Sequence, residues 1–289
     1  MSEPAVSVVV PTCNRAGYLD VTLRSLAVQD AGAPYEVIVV DDGSRDDTSE
    51  VVARYGARLL RPDSGHGPNA ARNAGIRAAR AGLVALVDDD VYAPPDWLGA
   101  MLAGAARHPD ADALGGPIRA RLEGPAPRGC GREDPPITSL DLGSTDREVE
   151  LVWSANMTLR RAAFERVGPL DERFSTGGDE EEWLRRLREA GGRIVYVAAA
   201  ALDHRRVGDD ARLRSLMRSA YRRGRNMRAY DGMRDRAPAL TRELCVLAGC
   251  GWHAMSRRCP QGLVMGAHSA GRLVEAVRPR AHPSATPLR

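Results

Sequence analysis

Leu83-Val84-Ala85-Leu86-Val87-Asp88-Asp89-Asp90 sets five apolar residues directly against three consecutive acids. A short apolar run ended by polar residues reads as a strand buried on both faces. Three adjacent carboxylates repel one another unless a cation or hydrogen-bond donors offset them, which argues against a merely solvated turn. Side chains alternate along an extended chain, so Asp88 and Asp90 share one side while Asp89 faces the other. That spacing lets one carboxylate hold a ribose hydroxyl while the other reaches a divalent ion. Hard oxygen ligands suit Mg²⁺ or Mn²⁺, and such an ion would bridge two phosphates of a nucleotide.

Working outward, short β-branched runs alternate with helical patterns through the first hundred residues. Strands are expected at Val6–Val10, ending at Pro11, at Glu36–Val40, and weakly at Arg58–Arg61. Helices are expected at Gly17–Val28, from Asp46, and at Asn69–Ala79. The pattern predicts an α/β fold with a mostly parallel sheet covered on both faces. Ligands bind such sheets at the carboxyl ends of the strands, which here carry Thr12 to Arg15, Asp41-Asp42 and Asp88 to Asp90. The first turn, Pro11-Thr12-Cys13-Asn14-Arg15, has no glycine fingerprint for a dinucleotide. A nucleotidyltransferase would normally place a glycine-rich, basic loop there. Intact acids at 88–90 and 179–182 argue against a catalytically silent binding module.

Composition narrows the choice further. The 289 residues suffice for one large domain with an appendage, and the net charge of +3 gives no case for nucleic-acid binding. All 41 basic residues are Arg, which excludes a Lys nucleophile and a phosphate-loop Lys. The five cysteines, at 13, 130, 245, 250 and 259, are scattered, odd in number and lack a CxxC pair. Neither a disulfide framework nor a zinc site is expected from them, and a reduced, cytoplasmic setting is. The opening residues resemble no signal peptide. The apolar stretch Leu244–Met255 contains His253 and is shorter than the ~20 residues needed to span a bilayer.

The regular pattern breaks between 121 and 150, a Pro- and Gly-rich stretch expected to be a mobile lid. Order returns with Leu151–Leu159, a helix from Arg161, a helix over Asp179–Ala190 and a strand over Arg193–Val197. Beyond 208 the chain reads as helical. Leu213, Leu216, Met217, Ala220 and Tyr221 form an apolar face, surrounded by Arg212, Arg214, Arg218, Arg222, Arg223 and Arg225. Those arginines read as a solvated face, with a phosphate or anionic membrane surface as the sharper alternative. The expected organisation is a domain over 1–208, divided near 118, a helical extension over 209–280, and a disordered tail over 281–289. A homodimer is compatible with it.

Four motifs then stand out together: Val8-Val9-Val10-Pro11-Thr12-Cys13-Asn14-Arg15, Val39-Val40-Asp41-Asp42-Gly43-Ser44, Gly67-Pro68-Asn69-Ala70-Ala71-Arg72-Asn73-Ala74-Gly75, and Leu86-Val87-Asp88-Asp89-Asp90. In order and spacing they resemble the family 2 inverting glycosyltransferases of GT-A fold, over roughly residues 5–205. The resemblance implies that Pro11 and Thr12 line the nucleobase pocket, with Asn14 beside them and Arg15 approaching the nucleotide. Asp41 and Asp42 would receive the base or ribose, and Arg72 the base or phosphates. In the Asp-x-Asp motif Asp88 would hold the ribose and Asp90 the metal, with Asp89 as an alternative. Asn156, within Trp153 to Arg161, would touch the donor sugar, and His204 would complete the metal site.

The general base would lie in Phe174 to Trp183, at Glu180 with Asp179 as partner, the two roles being exchangeable. Acids opening a helix also suit its macrodipole, so a capping role is the rival explanation. The implied donor is a nucleotide sugar, UDP-linked first and GDP- or dTDP-linked as alternatives. The implied acceptor is a saccharide, a lipid-linked sugar or a small natural product, and no transmembrane segment or nucleic acid is involved.

Overall fold

Every residue of β1 (Val6–Thr12) is buried. Its side chains alternate between two cores: Val8 and Val10 pack with Leu19, Leu23 and Leu26, while Val9 packs with Ile38, Val40 and Ile76. A strand covered on both faces favours apolar residues, and its two polar ones, Ser7 and Thr12, are buried with hydrogen bonds to Glu36 and Asp89. The computed structural model describes residues 3–62, 67–173, 179–233 and 236–278, with only the backbone of Asp179. The tail expected over 281–289 lies outside the described residues.

The chain divides into two units, Met1–Ala126 with Ile137–Arg212, and Pro127–Pro136 with Leu213–Arg289. In the first, α1 (Ala16–Leu26), β2 (Tyr35–Asp41), α2 (Thr48–Arg54), β3 (Arg58–Leu60), α3 (Pro68–Ala78) and β4 (Leu83–Leu86) follow β1. Next come β5 (Val91–Tyr92), α4 (Trp97–Arg107), β6 (Ala113–Gly115), β7 (Ile118–Glu123), β8 (Arg147–Glu148) and β9 (Met157–Arg160). The unit ends with α5 (Arg161–Val167), α6 (Asp179–Glu189), β10 (Ile194–Tyr196) and β11 (Leu202–Val207). One sheet has the order β3-β2-β1-β4-β9-β6-β10-β8, and a smaller one β5-β11-β7. Strands β3, β2, β1 and β4 are parallel, and β9 runs antiparallel to both β4 and β6. The architecture is mixed α/β with a mainly parallel central sheet.

Strand β11 is not visible in the sequence. Its residues, Leu202 to Val207, carry no apolar alternation, and it is held by ion pairs with β7 in which Arg121 meets Asp203 at 3.0 Å and Arg205 meets Glu123 at 2.8 Å. The stretch expected to act as one lid is also divided. Leu140 exchanges backbone hydrogen bonds with Ile118 in the first unit, whereas 127–136 groups with the C-terminal helices. Such long-range placement leaves no periodic trace in the sequence.

The second unit contains α7 (Leu213–Met233), α8 (Leu240–Ser256) and α9 (Gln261–Ala276). Leu216, Ala220 and Tyr230 of α7 are buried. Several arginines here are structural: Arg225 pairs with Glu275 at 2.8 Å, and Arg272 reaches both Asp231 and Glu243. No helix among the described residues is long and apolar enough to cross a membrane.

Asn156, expected beside the donor sugar, is held inside the protein. It is fully buried, its Oδ1 accepts from Trp97 Nε1 at 2.9 Å, and its Nδ2 donates to the carbonyls of Pro117 at 3.0 Å and Ala200 at 2.8 Å. With its hydrogens committed to backbone, this side chain fastens α4 and two loops together. Truncating it strands a buried indole N–H and two carbonyls, so Asn156→Ala is expected to cost about 1–3 kcal/mol. Thermal unfolding should fall while nucleotide-sugar affinity is unchanged; loss of affinity at full stability would restore the donor contact.

Gly75 sets the approach of α3 to the sheet. A Cβ there would lie inside the van der Waals shell of Val9 and press on Val40, whereas one at Gly82 meets nothing within 4 Å. Gly75→Ala should therefore destabilise by about 1–3 kcal/mol through overpacking. Gly82→Ala should stay within about 0.5 kcal/mol, both read from the denaturant midpoint.

Candidate functional site

Registers of the parallel strands decide which side chains meet. Thr12 stands beside Asp41, and Val9 beside Leu86, so three residues further on Thr12 comes level with Asp89. Thr12 Oγ1 donates to Asp89 Oδ2 at 2.8 Å. Arg15, in the turn leading into α1, reaches Asp89 Oδ1 at 2.5 Å with one nitrogen and Asp90 Oδ2 at 2.9 Å with the other. Its guanidinium also lies 4.3 Å over the Tyr18 ring. Arg72 of α3 donates to Asp88 Oδ1 at 2.8 Å, and Arg206 of β11 donates to Asp90 Oδ2. Each of the three acids thus meets a guanidinium, and the three arginines come from different elements.

Burial raises Asp89, and Arg15 offsets this only in part, so its carboxyl is pushed up to about 7. Burial would also raise Asp90, yet His204, Arg206 and Arg15 together hold it below the usual carboxylate range. For His204 burial works against the charged ring, but the attraction of Asp90 outweighs it and raises the imidazole above its ordinary value. His204 Nδ1 lies 3.0 Å from the Thr138 carbonyl, an acceptor only, so that nitrogen carries hydrogen. Nε2 is left facing Asp90 Oδ1 at 3.2 Å and Arg206 at 3.2 Å. A ring nitrogen oriented by a carbonyl on its far side is a well-prepared metal ligand.

Asp88, Asp90 and His204 each place a ligand atom within 4.8 Å of the others. Asp90 Oδ1 is buried and receives no hydrogen bond. An orphaned carboxylate lone pair beside an oriented imidazole and a second carboxylate fits a divalent cation with oxygen and nitrogen ligands. Asp88 belongs to this cluster as much as Asp90 does, although the family resemblance implied a ribose contact for it. Asp89 is engaged by Thr12 and Arg15 instead.

The neighbouring strand ends form a braced rim. Asp41 is fully buried, accepting from the Ser44 amide at 2.8 Å and Arg61 Nε at 3.0 Å. Asp42 accepts from the Gly67 amide at 3.0 Å. Asn14 has a positive φ of 53° and exchanges hydrogen bonds with Ser44 and Arg45, joining the β1 and β2 loops. Pro11 is buried within β1, level with Val40.

Glu180, in the first turn of α6, is 8% exposed and accepts from Ser154 through the backbone amide at 3.1 Å and Oγ at 2.6 Å. Because β9 runs antiparallel to β4 with Met157 beside Leu86, Ser154 lies beyond the carboxyl end of β4. Glu180 is thereby fastened at the end of the sheet that carries the acids. Residues 174–178, including both glycines before the acids, lie outside the described residues, as does the Asp179 side chain. Sequence reasoning missed Arg206, Tyr18 and Ser154. Arg206 stands two residues after His204 on β11 and so shares its face, but that strand has no apolar alternation to reveal it.

The profile of the family described as Glycosyl transferase family 2 matches residues 7–168. A validoxylamine A glucosyltransferase of Streptomyces hygroscopicus subsp. jinggangensis is 34% identical over 220 residues, covering 65% of this chain and 52% of that protein. The chain thus spans about half the length of that curated relative. Among solved structures, a mannosyltransferase from Pyrobaculum calidifontis, in complex with GDP-Man and Mn²⁺, superposes with TM-score 0.60 at 19% identity, over 94% of this chain and 70% of that one. Residues 1–349 of S. aureus TarS with UDP-GlcNAc give 0.55 at 19%, over 92% and 90%. Motif order, fold and profile agree: this chain belongs to the family 2 glycosyltransferases and has their GT-A fold.

Proposed function

We propose that the chain transfers a sugar, with inversion, from a UDP-linked donor to an acceptor hydroxyl, using Mg²⁺ or Mn²⁺ held by Asp88, Asp90 and His204. The observation that carries this is the convergence of three acids, three guanidiniums and an oriented imidazole at the carboxyl ends of parallel strands. When bound, the divalent ion supplies charge neutralisation for the departing diphosphate. Arg15, Arg72 and Arg206 are placed to exchange carboxylate for phosphate oxygens, which guanidinium forks also match. Thr12 with Asp41 and Asp42 takes the nucleoside side.

Glu180 accepts the acceptor's hydroxyl proton as that oxygen attacks the anomeric carbon from the face opposite the nucleotide. The bond from that carbon to the diphosphate oxygen breaks, and the leaving UDP keeps its electron pair. Ser154 fixes the carboxylate that takes the proton. Asp179, one position earlier on α6, is the alternative base. The glucosyltransferase named for validoxylamine A favours a small natural-product acceptor over the saccharide and lipid-linked classes. The mannosyltransferase with GDP-Man keeps GDP-linked donors in the screen. The reaction is placed in the cytoplasm, following the cysteine pattern.

Asp90→Asn keeps shape but removes a ligand charge, and should lower transfer by at least roughly 10³-fold, as excess EDTA should for the native chain. Radiolabelled transfer from UDP- and GDP-sugars measures both; undiminished activity in either case defeats the metal assignment. Glu180→Gln should leave donor binding intact and slow transfer by roughly 10²–10⁴-fold. A fast Glu180→Gln with a slow Asp179→Asn would move the base to Asp179, and activity in both would leave the acids as helix caps.

A further inference from the structure

The second unit holds a cluster that the glycosyl-transfer site does not use. Cys130 Sγ donates to Glu133 Oε1 at 2.8 Å and lies 3.7 Å from His253 Nε2. Cys259 Sγ stands 3.8 Å from Glu133 Oε2, and His253 Nε2 pairs with the same carboxylate. One potential ligand atom from each of the four lies within 4.8 Å of the rest. We propose that Cys130, Glu133, His253 and Cys259 form a structural zinc site that fastens the 127–136 segment to the C-terminal helices. The scattered cysteines had argued against such a site; folding brings two of them together from distant positions in the sequence.

Geometry and ligand chemistry both favour zinc. Tetrahedral Zn²⁺ holds sulfur at about 2.3 Å and imidazole nitrogen at about 2.0–2.1 Å, which sets such atoms about 3.6 Å apart. Cys130 and His253 already have that separation. Two thiolates with an imidazole and one carboxylate select zinc over Mg²⁺ or Mn²⁺. Four protein ligands close the coordination shell, the arrangement of structural rather than catalytic zinc. On binding, both thiols release their protons to solvent.

The segment also needs a fastening. Its sequence, Pro127-Arg128-Gly129-Cys130-Gly131-Arg132-Glu133-Asp134-Pro135-Pro136, contains no large apolar residue to bury. Gly131 has φ +76°, a left-handed turn between the two donors of this stretch, Cys130 and Glu133. His253 comes from the last turn of α8 and Cys259 from the link to α9. Within the unit, Arg223 donates to the Pro136 carbonyl at 3.2 Å and Gln261 to that of Asp134. Glu133 and His253 also line a cavity of about 740 Å³, which gives an ion a way in.

The test uses the full chain, purified without a metal-binding tag and kept reduced. Mass spectrometry should find about one tightly held zinc per chain, and Co²⁺ exchanged for it should show a thiolate charge-transfer band. Cys130→Ser and Cys259→Ser should each lower zinc affinity at least ~10-fold and weaken the band to roughly half, and the double variant should abolish it. Cys245→Ser, an exposed cysteine outside the cluster, should keep both, and so should Asp90→Asn, which separates this site from the acidic one. A Co²⁺ spectrum of the native chain without a thiolate band overturns the proposal, and needs no variant to fold. A band that survives in the Cys130→Ser, Cys259→Ser double variant overturns it equally.

Discussion

Three carboxylates at the end of one buried strand must be compensated, and the site is organised by how that is done. An isolated buried charge costs several kcal/mol, and pairing repays it only when the geometry is good. Here the compensation comes from the turn after β1, from α3 and from β11, so those elements have to converge on the end of β4. Replacing such a cluster by apolar residues could be neutral for stability. Stability alone therefore does not account for the cluster, and what its charges do for a ligand is the better explanation. A constellation of guanidiniums held at a sheet's carboxyl end is prepared for an anion before any anion arrives.

Electrostatic preparation extends beyond the acids. The Thr138 carbonyl fixes the tautomer of His204, and Ser154 holds Glu180 at two points. Neither partner is ionisable. They act by removing alternatives: one ring nitrogen is left to face Asp90, and one carboxylate orientation is preferred on α6. Next to Ser154, Asn156 ties the same short turn to Trp97 and to two loop carbonyls. The turn that positions Glu180 is thus anchored by a side chain whose hydrogens go to backbone carbonyls.

What was legible in the sequence follows the same physics. Strands β1, β2 and β4 could be read because burial on both faces makes them mostly apolar, and the polar residues at their carboxyl ends mark the site. Strand β11 could not, because charged side chains on it pair with β7 and no apolar alternation results. Its arginine at 206 was lost with it. Asn156 is ambiguous for the opposite reason: a motif residue beside an expected ligand and a buried polar bracket look alike in one sequence. Cys130 and Cys259 gave no signal at all, since spacing within a motif is the only clue to a metal site and theirs is set by the fold.

The absence of lysine acquires a physical side at this site. Arg15 contacts Asp89 with one terminal nitrogen and Asp90 with the other, while its plane rests on Tyr18. A lysine ammonium is a single point charge; it could neutralise one of these acids but could not span both in a fixed plane. Arg186 repeats the device on α6, giving one face of its fork to Glu182 and the rest to the carbonyls of Val167 and Pro169. That contact fixes the loop leaving α5 against the helix that carries Glu180. Whatever biased the coding sequence toward arginine, the fold uses the planarity of that side chain at both ends of the proposed reaction, beside the leaving diphosphate and behind the base.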